Sequence, residues 1–131
     1  MKDERLAYLP TDEFLENLEH KKEVYPDLVE SEAERGYFEA MCQIAYMYAK
    51  GMSVKQDYQK AFKWYLETAE SGITNAQYNL GEMYYNGWGV EKNRKKAVEL
   101  LTASAEHGFE YAKQLLKKIH AEKDNEESRG E

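Results

Sequence analysis

The chain has 131 residues, 42% of them hydrophobic and 33% charged, with eleven tyrosines and a formal net charge of −7. That length and balance fit one soluble globular domain. The acidity argues against a phosphate backbone as partner, and no run approaches the ~18 consecutive apolar residues of a membrane span.

The opening segment, "MKDERLAYLP", reaches charge and proline without an apolar core, so no secretory signal is expected. Most of the acidity sits here: residues 1–36 hold eleven acids and five bases. Such a segment attracts a basic partner surface, or simply solubilises the chain. Pro10-Thr11-Asp12 reads as a helix start, with Phe14, Leu15 and Leu18 at helical spacing, and Pro26 as a break or kink. Residues 1–35 are expected to form a divergent N-terminal helical cap.

A helix is predicted from about Tyr37 to Lys50, with Ala40, Ile44, Met47 and Tyr48 on one face. A second starts near Asp57, an N-cap residue type, and carries Ala61, Trp64, Tyr65, Thr68 and Ala69. The next pair repeats the design. Ala76, Leu80, Met83 and Tyr84 mark a helix from about Asn75 to Asn86. Ala97, Leu100, Leu101, Ser104 and Ala105 mark one beginning near Asn93. A further half pair follows, in which Leu116, Ile119 and His120 take the places of Leu80, Met83 and Tyr84. His120 is therefore expected to pack. The final "KDNEESRGE", 123–131, is too polar to pack and reads as a frayed tail.

The pairs are copies at an offset of 36 residues. Ala33, Ala69 and Ala105 coincide, as do Gly36, Gly72 and Gly108, and Ala40, Ala76 and Ala112. "AERGYFEA", "AESGITNA" and "AEHGFEYA" are one phrase written three times. The units are drawn as 33–68 and 69–104, with a half repeat at 105–122 that forms a C-terminal capping helix. One helix hairpin cannot bury its own apolar face, whereas stacked copies can. The expected fold is all-α, a solenoid of stacked antiparallel helix pairs.

Two stretches carry a family signature. "AQYNLGEMYYNGWGV" (76–90) holds the alanine, leucine-glycine, tyrosine and GxGV turn, and "DYQKAFKWYLETAESG" (57–72) holds the Asp, alanine, WY and paired alanines. In these the chain resembles the Sel-one-like repeat family, relatives of tetratricopeptide repeats, over about 33–122. Unit one departs from the pattern at Ala45 and "GMSV", and unit two at Asn93 and Leu100-Leu101. The resemblance implies a right-handed α-α solenoid and a role in protein–protein interaction. It names no partner. Secreted relatives carry paired cysteines in each unit, and the lone Cys42 disfavours that branch and points to the cytoplasm.

No catalytic, cofactor or metal-ligand set emerges. His20, His107 and His120 lack metal-ligand spacing, and Cys42 has no Cys or His beside it in sequence. His107 sits where a helix dipole favours it, and Cys42 reads as a small buried hydrophobe. The glycines of "YYNGWGV" follow a helix instead of opening one, so they read as a turn and not a phosphate cradle.

Two function classes remain. The favoured one is a non-catalytic binding module, whose concave face would present Gln43, Tyr46, Met47, Asn79, Glu82 and Tyr85 to another protein. For Met47 and Tyr85 the alternative is packing between repeats. Trp88 is expected at the turn, facing solvent, as a further contact. A sharper form is an inhibitor or immunity-type protein that occludes a basic toxin or enzyme. The other class is a hydrolase on the same scaffold, which would need Cys42, His107 and His120 in one cleft. The short solenoid also leaves its ends open to edge-to-edge pairing, and no oligomeric state is implied.

Overall fold

The computed structural model describes residues 25–129, so the helix expected to start at Pro10 lies outside the described residues. Among the described residues six α-helices follow one another: α1 (Pro26–Glu34), α2 (Phe38–Lys50), α3 (Tyr58–Glu70), α4 (Thr74–Asn86), α5 (Arg94–Glu106) and α6 (Glu110–Arg129). Each packs chiefly on its neighbours in sequence, the one-dimensional pattern of a helical-repeat solenoid. The helix that Pro26 was expected to break lies outside the described residues. Pro26 itself opens α1, where its missing N–H leaves no intrahelical bond unmade.

The copies share their wiring as well as their letters. Asp57 caps α3 by accepting from the Lys60 N–H at 3.1 Å, and Asn93 caps α5 from Lys96 at 3.0 Å. The Asp57 N–H donates to the Tyr48 carbonyl, and the Asn93 N–H to the Tyr84 carbonyl. At the ends of α2 and α4 the N–H groups of Met52 and Trp88 reach back to the carbonyls of Met47 and Met83. Lys60 lies over the Tyr48 ring and Lys96 over the Tyr84 ring, at 5.1 and 5.3 Å.

The core is built from columns. Ala40, Ala76 and Ala112 are buried, as are Ile44 and Leu80, and Met47, Met83 and Ile119. Gly81 brings α4 onto α5: a Cβ there would lie 2.9 Å from Leu101 Cγ and 3.3 Å from the Ala97 carbonyl oxygen. Buried hydroxyls are held locally. Thr68 donates to the Trp64 carbonyl at 3.0 Å, and Ser104 donates to the Thr74 carbonyl at 3.1 Å, tying α5 to α4.

Two features of the last helix differ from expectation. His120 is exposed, on the face of α6 that corresponds to the one α3 and α5 cover on α2 and α4. Lys117 stands on that face where Gly81 stands in α4, and it too is exposed. The residues from 123 onward continue the helix to Arg129. Glu126 among them pairs with Arg94 at 3.1 Å, and Glu122, just before them, accepts from the Tyr85 hydroxyl.

Candidate protein-interaction face

The first helices of successive units, α2, α4 and α6, lie side by side and parallel. The Cys42 thiol reaches Asn75 Oδ1 at 3.8 Å, joining α2 to α4. Tyr78 meets Tyr111 near the start of α4 and α6, and Tyr85 meets Glu122 further along both. These contacts run from α2 to α4 and from α4 to α6.

Part of the expected contact set converges. Asn79, Glu82 and Trp88 line a single cleft with Ala49, Lys50, Tyr58, Tyr65 and Met83. Its volume, ≈ 50 Å³, holds a few waters but no organic ligand, for which pockets of roughly 300 Å³ and more are usual. Tyr46 borders it, with Lys50 Nζ 5.9 Å from its ring centroid. Tyr46 and Glu82 both act on the buried Tyr65 hydroxyl, whose pKa is pushed well above its ordinary value, by burial first. Glu82 also accepts from Tyr78 at 3.2 Å.

Three of the expected residues are placed differently. Met47 is 0% exposed and belongs to the core column with Met83 and Ile119, so it cannot touch a partner. Its apolar repeat-mates were the signal for that. Trp88 does not face solvent. It is half-buried and stacks on Tyr58, ring centroids 5.4 Å apart and planes 10° from parallel. Gln43 is half-buried and lines a separate depression beside Glu32, Tyr37 and Glu39. Tyr85 is turned toward α6.

One group escaped the sequence reading. Tyr78, Phe109 and Tyr111 form an aromatic trio with centroids 5.1, 5.8 and 6.2 Å apart, and Tyr111 is 64% exposed. Tyr78 and Phe109 stand at places filled by Cys42 and Tyr37 in unit one, so the trio has no copy for self-comparison to reveal.

The residues that a hydrolase would need are not assembled. Cys42 is buried between Asn75 and Thr68, and burial pushes its thiol up to about 12, far from a thiolate nucleophile. The His107 ring Nδ1 donates to the Ala103 carbonyl at 2.7 Å, at the end of α5. His120 lies in an open trough between α5 and α6 with Arg94, Lys95 and Lys123. Among the described residues no three His, Cys, Asp or Glu side chains gather as a metal site.

Stacked helix pairs with this wiring define a helical-repeat scaffold of the kind that presents a surface to other proteins. The Sel1 repeat model matches residues 38–73 and 74–109 in succession, and the chain belongs to the Sel1 repeat family. Sel1 repeats are generally protein-interaction modules and typically non-catalytic scaffolds. No curated protein matches the chain.

A Sel1 repeat protein from Oxalobacter formigenes is similar in structure, with 38% identity and a TM-score of 0.65 over 69% of this chain and 68% of that one. A protective antigen present in uropathogenic Escherichia coli strains, which displays an SLR fold, aligns at 32% identity and a TM-score of 0.64. That alignment covers 66% of this chain but 19% of the antigen. No described helix is long and apolar enough to cross a membrane.

Proposed function

We propose that this chain is a non-catalytic binding module that grips a partner protein on the face shared by α2, α4 and α6, with Tyr46, Asn79 and Glu82 at its centre. The observation that carries the reading is the convergence of Asn79 and Glu82 on one small cleft bordered by Tyr46. Polar groups of that kind beside tyrosine rings give area and hydrogen bonds at low entropic cost. The acidity of residues 1–36 favours a partner with a basic surface. A finer form is an inhibitor or immunity-type protein acting in the cytoplasm, where the buried free thiol of Cys42 would stay reduced.

Affinity capture from the native host tests the reading, with the triple variant Tyr46→Ala, Glu82→Ala and Tyr85→Ala run in parallel and its helicity checked by circular dichroism. A basic protein recovered by the parent chain and lost from a folded triple variant is the expected result. Equal recovery by both would remove the reading. For the finer form, the captured protein's own activity should fall on adding the parent chain, and an unchanged activity would exclude inhibition.

A further inference from the structure

We infer that the α4–α6 side of this face takes an arginine side chain of the partner, with the Tyr78–Phe109–Tyr111 rings as stacking surface and the Glu82 carboxylate as counter-charge. The inference rests on the protein-binding reading above and adds the chemistry of what is gripped.

Two observations lead to it. The first concerns the rings. Tyr37, Tyr46, Tyr48, Trp64 and Tyr84 each have a lysine or arginine of this chain over the ring, at 4.9 to 5.9 Å. Among the described residues, no cation of this chain covers Tyr78, Phe109 or Tyr111. Yet Tyr111 is the most exposed large hydrophobic residue described. The second concerns the carboxylate. Glu82 is half-buried and is oriented by the Tyr78 hydroxyl at 3.2 Å. Among the described residues it pairs with no cation, although Glu126 pairs with Arg94 and Glu110 with Lys113. Lys50, which shares its cleft, is turned over the Tyr46 ring.

A planar guanidinium would serve the rings and the carboxylate at once. It stacks on an aromatic face while its N–H fork reaches a carboxylate, and its weak hydration makes the transfer from water less costly than for an ammonium. A neutral or acidic side chain would leave Glu82 without a counter-charge.

The probe is an end-blocked pentapeptide, Gly-Arg-Gly-Arg-Gly, titrated into the isotope-labelled chain by NMR beside its citrulline counterpart, which keeps the shape and loses the charge. The expected shifts centre on Tyr78, Glu82 and Tyr111, with the citrulline peptide silent. Glu82→Gln and Tyr111→Ala should each weaken binding by about fivefold or more. Tyr111 is exposed and Glu82 half-buried, and unchanged dispersion of the remaining signals verifies each fold. Equal shifts with citrulline, shifts centred away from these residues, or unchanged affinity in Glu82→Gln would overturn the arginine assignment. The capture experiment is independent: loss of a partner by the triple variant together with failure of the peptide would leave the binding reading standing and remove this one.

Discussion

A Cβ on residue 89 would lie 2.6 Å from the carbonyl oxygen of Tyr58, so Gly89 is the one residue type that lets the second unit's turn close onto the start of α3. Its φ of +71° adds a second reason. Gly89→Ala would meet backbone, which cannot move aside as a side chain can, and would hold alanine in the left-handed region. A loss of about 2–4 kcal/mol is expected in urea unfolding, from strain of 1–3 kcal/mol plus the collision. A loss below 1 kcal/mol would show that the turn relaxes freely.

Ser53 occupies the same place in the first unit, with φ +63°. Ser53→Gly should therefore stabilise the chain by about 0.5–1 kcal/mol, since relief of left-handed strain outweighs the entropy that glycine adds to the unfolded state. The same unfolding assay reads it, and destabilisation would mean that the serine hydroxyl holds the turn.

Gly81→Ala sets two effects against each other. Alanine gains about 1 kcal/mol of helix propensity. Its Cβ would also press to 2.9 Å on Leu101 Cγ, inside a packed interface. Overpacking of that kind costs about 1–3 kcal/mol, so net destabilisation is expected. Combining it with Leu101→Ala in a double-mutant cycle should give less than the sum of the single losses, and strict additivity would show that the two residues do not meet.

Burial raises the Cys42 thiol from 9.0 to about 12, so the folded chain keeps its proton after the unfolded chain has lost it. The unfolded state then binds fewer protons, and stability falls as pH rises from about 9 toward 12. Cys42→Ala should flatten that decline where it begins, near pH 9, since a tyrosine of ordinary pKa is then only about a tenth ionised. The native thiol should also resist a thiol-exchange reagent at pH 8 and react once urea unfolds the chain. Prompt labelling of the folded protein would contradict its burial.

The caps offer a paired measurement. Asp57→Ala and Asn93→Ala each remove one side-chain bond to the first turn of a helix. Each should cost about 1 kcal/mol by equilibrium unfolding. Indifference to both changes would mean that the helix starts are set by packing alone.

What could be read from the letters follows from what a repeat exposes. Helix starts at Asp57 and Asn93, turns at Gly51 and Gly87, and the alanine columns recur, so comparison of the chain with itself finds them without a structure. Met47 shows the limit of spacing alone. Its helical interval suits a contact face and a core face alike, and burial decided for the core. The covering of Trp88 is not legible from its turn because its partner, Tyr58, lies at the start of α3 in the preceding unit. Tyr78, Phe109 and Tyr111 occupy no recurring column, and only the side-by-side course of α4 and α6 unites them. The helix from residue 122 onward is polar, and its hold is on Tyr85 and Arg94, residues 37 and 32 positions back in sequence.

Lys117 gives the array a one-way grammar for growth. A helix pair appended after α6 in the repeat register would drive its leucine against a lysine where Gly81 yields to Leu101. A pair spliced in between Ile73 and Thr74 would instead find on each side the neighbours it has now. Lengthening from within should keep cooperative unfolding and raise the urea midpoint, whereas lengthening at the end should leave the added pair protease-sensitive. Lys117 thus favours growth by insertion over growth directly after α6.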